Sequence, residues 1–252
     1  MPLHVKEAGA GKPVVLIHGL FGSLENLGGL ARQLAEHYHV FSLDLPNHGR
    51  SQHTEDTSLS QMADSVFRWL NAQPFQHASF IGHSLGGKVA MELALCHPEK
   101  VDRLAVLDIA PVHYAPHHEQ VFKGLLSLQP ATLPSRSEAD AQLSAYVPEL
   151  PIRSFLLKNL VRQEQGFGWR MNLPTLHRHY ARLVSGNRRG QVYKGNTLFL
   201  KGGNSDYIGE QHRDEILSRF PNAKVKIVAG TGHWLHADKP DLVARLLQRF
   251  LL

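Results

Sequence analysis

The sequence predicts the α/β class: a mostly parallel sheet with helices on both faces and a helical cap inserted late in the chain. Two observations predict it. Short, near-continuous apolar runs alternate with stretches of helical periodicity, and strands of that kind belong to parallel sheets buried on both faces. The alternation breaks between His113 and Gly195, where helical patches occur without a strand-like run, and then resumes. The expected organisation is one core, residues 1–112 and 196–252, with residues 113–195 inserted in it as the cap.

The elements follow in order. Residues 13–20 (PVVLIHGL) form a buried strand. Residues 26–37 form a helix with Leu27, Leu30, Leu34 and Ala35 on one face. A second strand, 40–45, ends at Pro46. Residues 60–73 place Met62, Val66, Trp69 and Leu70 at helical spacing. Strand 78–82 runs into helix 85–97, which Pro98 stops, and strand 104–109 is stopped by Pro111. Helical patches at 121–128, 138–146, 152–161 and 176–184 fill the cap, punctuated by Pro130, Pro134, Pro148, Pro151 and Pro174. Strand 197–201, helix 210–220, strand 224–228 and helix 240–250 complete the core.

Of the 252 residues, 42% are hydrophobic and 19% charged, so a packed core is expected and disorder is not. A single cysteine, Cys96, excludes a disulfide framework and a Cys-built zinc or iron–sulfur centre. Within LALCH it reads as a buried helix thiol, because no basic or polar motif frames it as a nucleophile. No apolar run reaches the roughly 18 residues of a membrane span, and MPLHVKE lacks the apolar stretch of a signal peptide. A cytoplasmic setting is expected. The net charge of +5 is spread along the chain, which fits a solvated surface rather than a nucleic-acid-binding face.

The chemistry gathers at Gly82-His83-Ser84-Leu85-Gly86-Gly87. This is G-x-S-x-G between a buried strand and a helix, the setting that gives the motif meaning. A sharp turn there strains Ser84, presents its hydroxyl above the sheet at a helix N-terminus, and needs the two flanking glycines for room. Residues 82–88 also fit G-x-x-x-x-G-K, the start of a phosphate-binding loop. Val89 then stands where a magnesium-binding Ser or Thr is required, so nucleotide hydrolysis is not expected.

A serine hydrolase needs two backbone N–H donors for the oxyanion. Leu85 follows the nucleophile, and Leu20, in His18-Gly19-Leu20-Phe21-Gly22 after the first strong strand, is the second candidate ahead of Phe21. Of seventeen histidines, His233 alone sits after the last strand and before the last helix, in a loop tightened by Gly230 and Gly232; it is the expected general base. His236 is expected to lie outside the site. His113, His117 and His118 are read as solvated histidines at the cap entrance, without the spacing of a metal site. Two acids fit the chain order Ser…Asp…His. Asp206 follows the second-last strand, where this fold commonly keeps its acid, but its register is ambiguous: the G-x-x-D step counted from Gly202 lands on Ser205, and counted from Gly203 lands on Asp206. Asp108 closes an apolar strand and needs a partner, because an unpaired buried charge is costly. Asp44 precedes the nucleophile and is in the wrong order.

Over nearly its whole length the chain resembles the α/β-hydrolase superfamily, through HGLFG (18–22), DLPNHGRS (44–51), GHSLGG (82–87) and GTGHW (230–234). More narrowly it resembles YbfF-type esterases and their ABHD-type relatives, through LDIAP (107–111), WRMNL (169–173), GGNSDY (202–207) and GHWLHADKP (232–240). The narrower resemblance implies that the acid is the LDIAP aspartate, Asp108. It implies a serine carboxylic-ester hydrolase working through Ser84, His233, Asp108 and an acyl-enzyme, with Leu20 and Leu85 as oxyanion donors. Short- to medium-chain acyl esters are the expected substrates, bound partly by apolar cap residues such as Phe122, Phe155, Leu156 and Trp169. No metal or organic cofactor, nucleic acid or membrane span is expected, and the chain is expected to be a monomer or homodimer. Acyl thioesters, carbon–carbon bond hydrolysis and, outside enzymes, ligand binding without turnover are the alternatives on the same fold.

Overall fold

The computed structural model of the chain describes residues 2–252. Its sheet has seven strands: β1 (Val5–Ala8), β2 (Pro13–Ile17), β3 (His39–Leu43), β4 (Ala78–His83), β5 (Val101–Leu107), β8 (Asn196–Gly202) and β9 (Ala223–Val228). They lie in the order β1-β3-β2-β4-β5-β8-β9, with β1 antiparallel to β3 and every other pairing parallel. The short edge strand β1 was not expected from the sequence; VKEA has no buried residue to mark it.

Side chains alternate across a strand, and here each face receives its own helices. Val14, Leu16, Ile81, Leu107 and Leu200 pack against α1 (Gly28–Leu34), the short α10 (Leu235–Asp238) and α11 (Pro240–Leu251). Val15, Ile17, Phe80, Val106 and Phe199 pack against α2 (Leu59–Asn71), α3 (Leu85–Cys96) and α9 (Arg213–Arg219). α3 is buried along eleven of its twelve residues, Lys88 and Glu92 among them, so it lies inside that layer rather than at its surface. Its last residue, Cys96, is half-buried rather than fully buried, since the helix end reaches the surface.

Between β5 and β8 the chain forms α4 (Glu119–Ser127), α5 (Arg136–Leu143), α6 (Leu150–Leu156), α7 (Leu173–Arg178) and α8 (Tyr180–Leu183). The expectation that this stretch holds no strand is corrected: β6 (Leu160–Arg162) pairs antiparallel with β7 (Phe167–Trp169). Three-residue strands are too short to leave a period-two signal. Phe122, Leu125, Leu143, Leu156 and Leu176 from this stretch join the core on the α3 side of the sheet, so it shares the core's apolar interior.

Candidate active site

Ser84 stands between β4 and α3 with φ 53° and ψ −118°, a backbone that a non-glycine residue adopts only under constraint. The constraint is visible. The Ser84 N–H donates to Leu107 O at 3.0 Å, and Ser84 O accepts from the Lys88 N–H at 3.0 Å. A β-carbon at Gly82 would stand 2.3 Å from Gly86 O, and one at Gly86 would stand 2.2 Å from Ile17 O, so both positions must be glycine for the turn to close. The first N–H groups of α3, Leu85 among them, are free of intrahelical partners. The loop after β2 approaches the serine closely: a β-carbon at Gly19 would be 3.3 Å from Ser84 Cβ. Phe21 in that loop has φ 60°. His18 fixes the loop, donating from Nδ1 to Gly19 O at 2.8 Å and accepting the Leu45 N–H on Nε2 at 3.1 Å. Burial lowers its pKa to about 4, keeping it neutral and able to accept.

Asp108 and His233 come together from distant parts of the chain. His233 Nδ1 lies 2.8 Å from Asp108 Oδ2. Asp108 is fully buried, with φ 54° at the end of β5. Its Oδ1 accepts the Gly202 N–H at 2.9 Å, and its Oδ2 also accepts the Ser205 hydroxyl. Asp206, one residue on from Ser205, is exposed at the surface. Asp44 is buried elsewhere, accepting Leu24 N–H at 2.7 Å and Arg50 N–H at 2.9 Å, and so ties two loops together.

His233 is held at its ring and at its backbone. Tyr207 stacks on it, with ring centroids 4.0 Å apart and planes at 22°. His83 Nε2 donates to His233 O at 2.9 Å. Burial holds the pKa of His83 well below the ordinary range, so it acts as a neutral donor. His236 was expected outside the site. It is buried, meets the His83 ring edge-on at 4.5 Å, and has a pKa lowered by burial to about 4. α10 turns it inward, and that one-turn helix was not expected from the sequence. His117 and His118 are likewise not simply solvated. His117 Nε2 meets the Tyr207 hydroxyl at 2.5 Å and His118 Nδ1 the Tyr180 hydroxyl at 2.6 Å.

Ser84, His233, Leu20, His83 and His236 all line one cavity of about 590 Å³. Its apolar walls come from Phe21 and Trp234 of the core loops and from Val121, Ile152, Phe155 and Leu156 of the stretch between β5 and β8. Phe122 and Leu125 instead fill the interior.

Among known proteins, the model of the alpha/beta hydrolase fold matches residues 12–240. The chain belongs to the α/β-hydrolase family. Esterase YbfF of Escherichia coli (strain K12) is 40% identical over 240 residues, covering 95% of this chain and 92% of that protein. An sn-1-specific diacylglycerol lipase, ABHD11 of Mus musculus, is 40% identical over 236 residues, 90% of this chain and 77% of its own. A solved structure described as a marine microorganism esterase superposes with a TM-score of 0.96 at 35% identity, covering 98% of both chains. Among the described residues no helix is long and apolar enough to cross a membrane.

Two neighbours of the Asp108–His233 pair were not assigned from the sequence. Ser205 carried a usable signal, since it occupies the G-x-x-D position counted from Gly202. Tyr207 carried none, because a stacking contact with a residue far along the chain has no sequence pattern.

Proposed function

We propose that the protein is a serine carboxylic-ester hydrolase with Ser84 as nucleophile, His233 as general base and Asp108 as the acid that orients it. Ester hydrolysis is the activity named for its esterase and lipase relatives. The observation that carries the assignment is the His233 Nδ1 contact of 2.8 Å with a fully buried Asp108 carboxylate, on a cavity shared with a strained Ser84.

An Nδ1–H bonded to Asp108 leaves Nε2 as the basic nitrogen of the neutral ring. Nε2 takes the Ser84 proton as Oγ attacks the acyl carbonyl. The oxyanion is received by the N–H groups of Leu20 and Leu85, assisted by the N-terminus of α3. Collapse expels the alkoxide, which leaves with the proton from His233. Water activated by the same ring then releases the acid from the acyl-enzyme. The apolar cavity of about 590 Å³ suits short- to medium-chain acyl esters, with residues 113–195 acting as the cap over the site.

The test is fluorophosphonate labelling together with a panel of p-nitrophenyl esters and acyl thioesters of graded length. Wild type is expected to label and to turn over esters, and Ser84→Ala to do neither while melting at the same temperature. Ester hydrolysis retained by Ser84→Ala would overturn the assignment. A preference for thioesters would move the substrate class without moving the residues.

A further inference from the structure

The mechanism makes no use of Lys88, one turn along α3 from Ser84. Its side chain is buried at 2% exposure, and no carboxylate among the described residues lies within 4 Å of its ammonium. A buried, unneutralised cation is costly and needs a reason. The ammonium donates to two backbone carbonyls, Val112 O at 2.6 Å and Ser185 O at 2.8 Å, and lies over the Tyr114 ring at 5.1 Å. Those carbonyls sit on the leg by which the chain leaves the core after β5 and the leg by which it returns. The legs are joined to each other as well: the Tyr114 N–H donates to Val184 O at 2.9 Å, and the Asn187 N–H to Pro111 O at 3.1 Å. Asn187 Nδ2 adds a bond to Lys88 O at 2.8 Å and one to Glu92 at 3.1 Å.

We infer that Lys88 is a positioning residue, whose ammonium pins both legs of the 113–185 excursion to the nucleophile helix and so sets where the walls of the cavity stand relative to Ser84. A lysine suits this task because it offers three N–H donors and no acceptor, and both sites it must bridge are carbonyls. Val121, Ile152, Phe155 and Leu156 hang between the two pinned points. Releasing them leaves the serine turn intact but lets the walls shift, so the loss falls on substrates long enough to touch them.

The groups facing the ammonium are Glu92 on its own helix, Arg219 from α9 and the Tyr114 phenol of the outgoing leg. Burial, reinforced by Arg219 against Glu92, lowers the Lys88 pKa to about 7. Its hold on the two carbonyls therefore weakens as the pH rises past about 7, because a neutral amine's bonds are not charge-assisted.

The inference rests on the serine-ester reading of the site, and the experiment separates the two. Wild type and Lys88→Met are labelled with fluorophosphonate and assayed from pH 6 to 9 with p-nitrophenyl acetate and with the longest p-nitrophenyl ester the wild type hydrolyses. Both proteins are expected to label equally and to match on acetate. For the long ester, Lys88→Met is expected to raise KM about tenfold with kcat kept, the scale of one charge-assisted hydrogen bond. In wild type, the ratio of kcat/KM for the long ester to that for acetate is expected to fall between pH 6 and 9; titration of the shared base divides out of this ratio. In Lys88→Met the ratio is flat. An unchanged KM for the long ester in folded Lys88→Met overturns the inference. Failure of the wild type to label overturns the serine reading instead. Should Lys88→Met fail to fold, Lys88→Gln, whose shorter side chain cannot bridge both carbonyls, is assayed in its place: a raised long-ester KM with acetate turnover kept is expected, and an unchanged long-ester KM overturns the inference.

Discussion

A carboxylate with no exposed surface is costly unless hydrogen-bond donors surround it. Asp108 has three: the Gly202 N–H, the Ser205 hydroxyl and the His233 ring. Asp206 is exposed and has no such setting. On the proposed mechanism, Asp108→Asn keeps the shape but removes the carboxylate that orients the imidazole. It is expected to lower kcat on a p-nitrophenyl ester by about 10³–10⁴, the scale seen when a triad acid is neutralised. Asp206→Asn is expected to change kcat by no more than about twofold, as an exposed surface substitution does. The reverse pattern would give the acid's role to Asp206. His233 also rests on residues with no chemistry of their own: Tyr207 stacks on its ring and His83 holds its carbonyl.

At the scale of the element, the turn between β4 and α3 is built by close approach. Gly86 lets α3 press onto the end of β2, where a β-carbon would stand 2.2 Å from Ile17 O. That atom belongs to the backbone of a central strand and cannot move aside. Gly86→Ala is expected to cost about 3 kcal/mol in urea unfolding, the upper range for overpacking, and to reduce fluorophosphonate labelling because Ser84 moves with the helix. At Gly29, within α1, a β-carbon would meet nothing within 4 Å. Gly29→Ala is expected to stabilise by about 0.5–1 kcal/mol, the ordinary gain of alanine over glycine in a helix. The contrast between two helical glycines tests whether space or helix propensity governs the elbow.

At the scale of the whole molecule, histidine burial links stability to pH. His18, His83 and His236 pack around the site, His48 lies beside His18, and His118 bonds Tyr180. Burial lowers His18 and His236 to about 4, and His48 and His118 to about 3. The unfolded rings titrate near 6.5, so below that pH the unfolded chain binds protons that the folded chain refuses. Their contribution is complete above about pH 6.5 and is lost as pH falls toward 4. The melting temperature measured by calorimetry is expected to be level near pH 7 to 8 and to fall steadily from pH 6.5 to 4.5. A level melting temperature across that lower range would show that these rings are not held neutral.

The order of strands and helices, the serine turn and the long interruption before residue 196 were legible because each is a local property: apolar runs, helical spacing, and glycines where a turn has no room for a side chain. The motif flanking Ser84 and the loop of His233 were legible for the same reason. What escaped was what depends on contact. β1 is an exposed edge strand held by β3, and β6 and β7 are too short to show a period. His236 was expected outside the site and His118 was read as solvated, because nothing near them in the chain announces the rings they meet. The sequence by itself determined which side chains carry reactive groups and on which kind of turn each stands. Only the tertiary structure decided which carboxylate reaches His233, and what Lys88 holds, because burial and hydrogen-bond partners are set by residues from 24 to 125 positions apart.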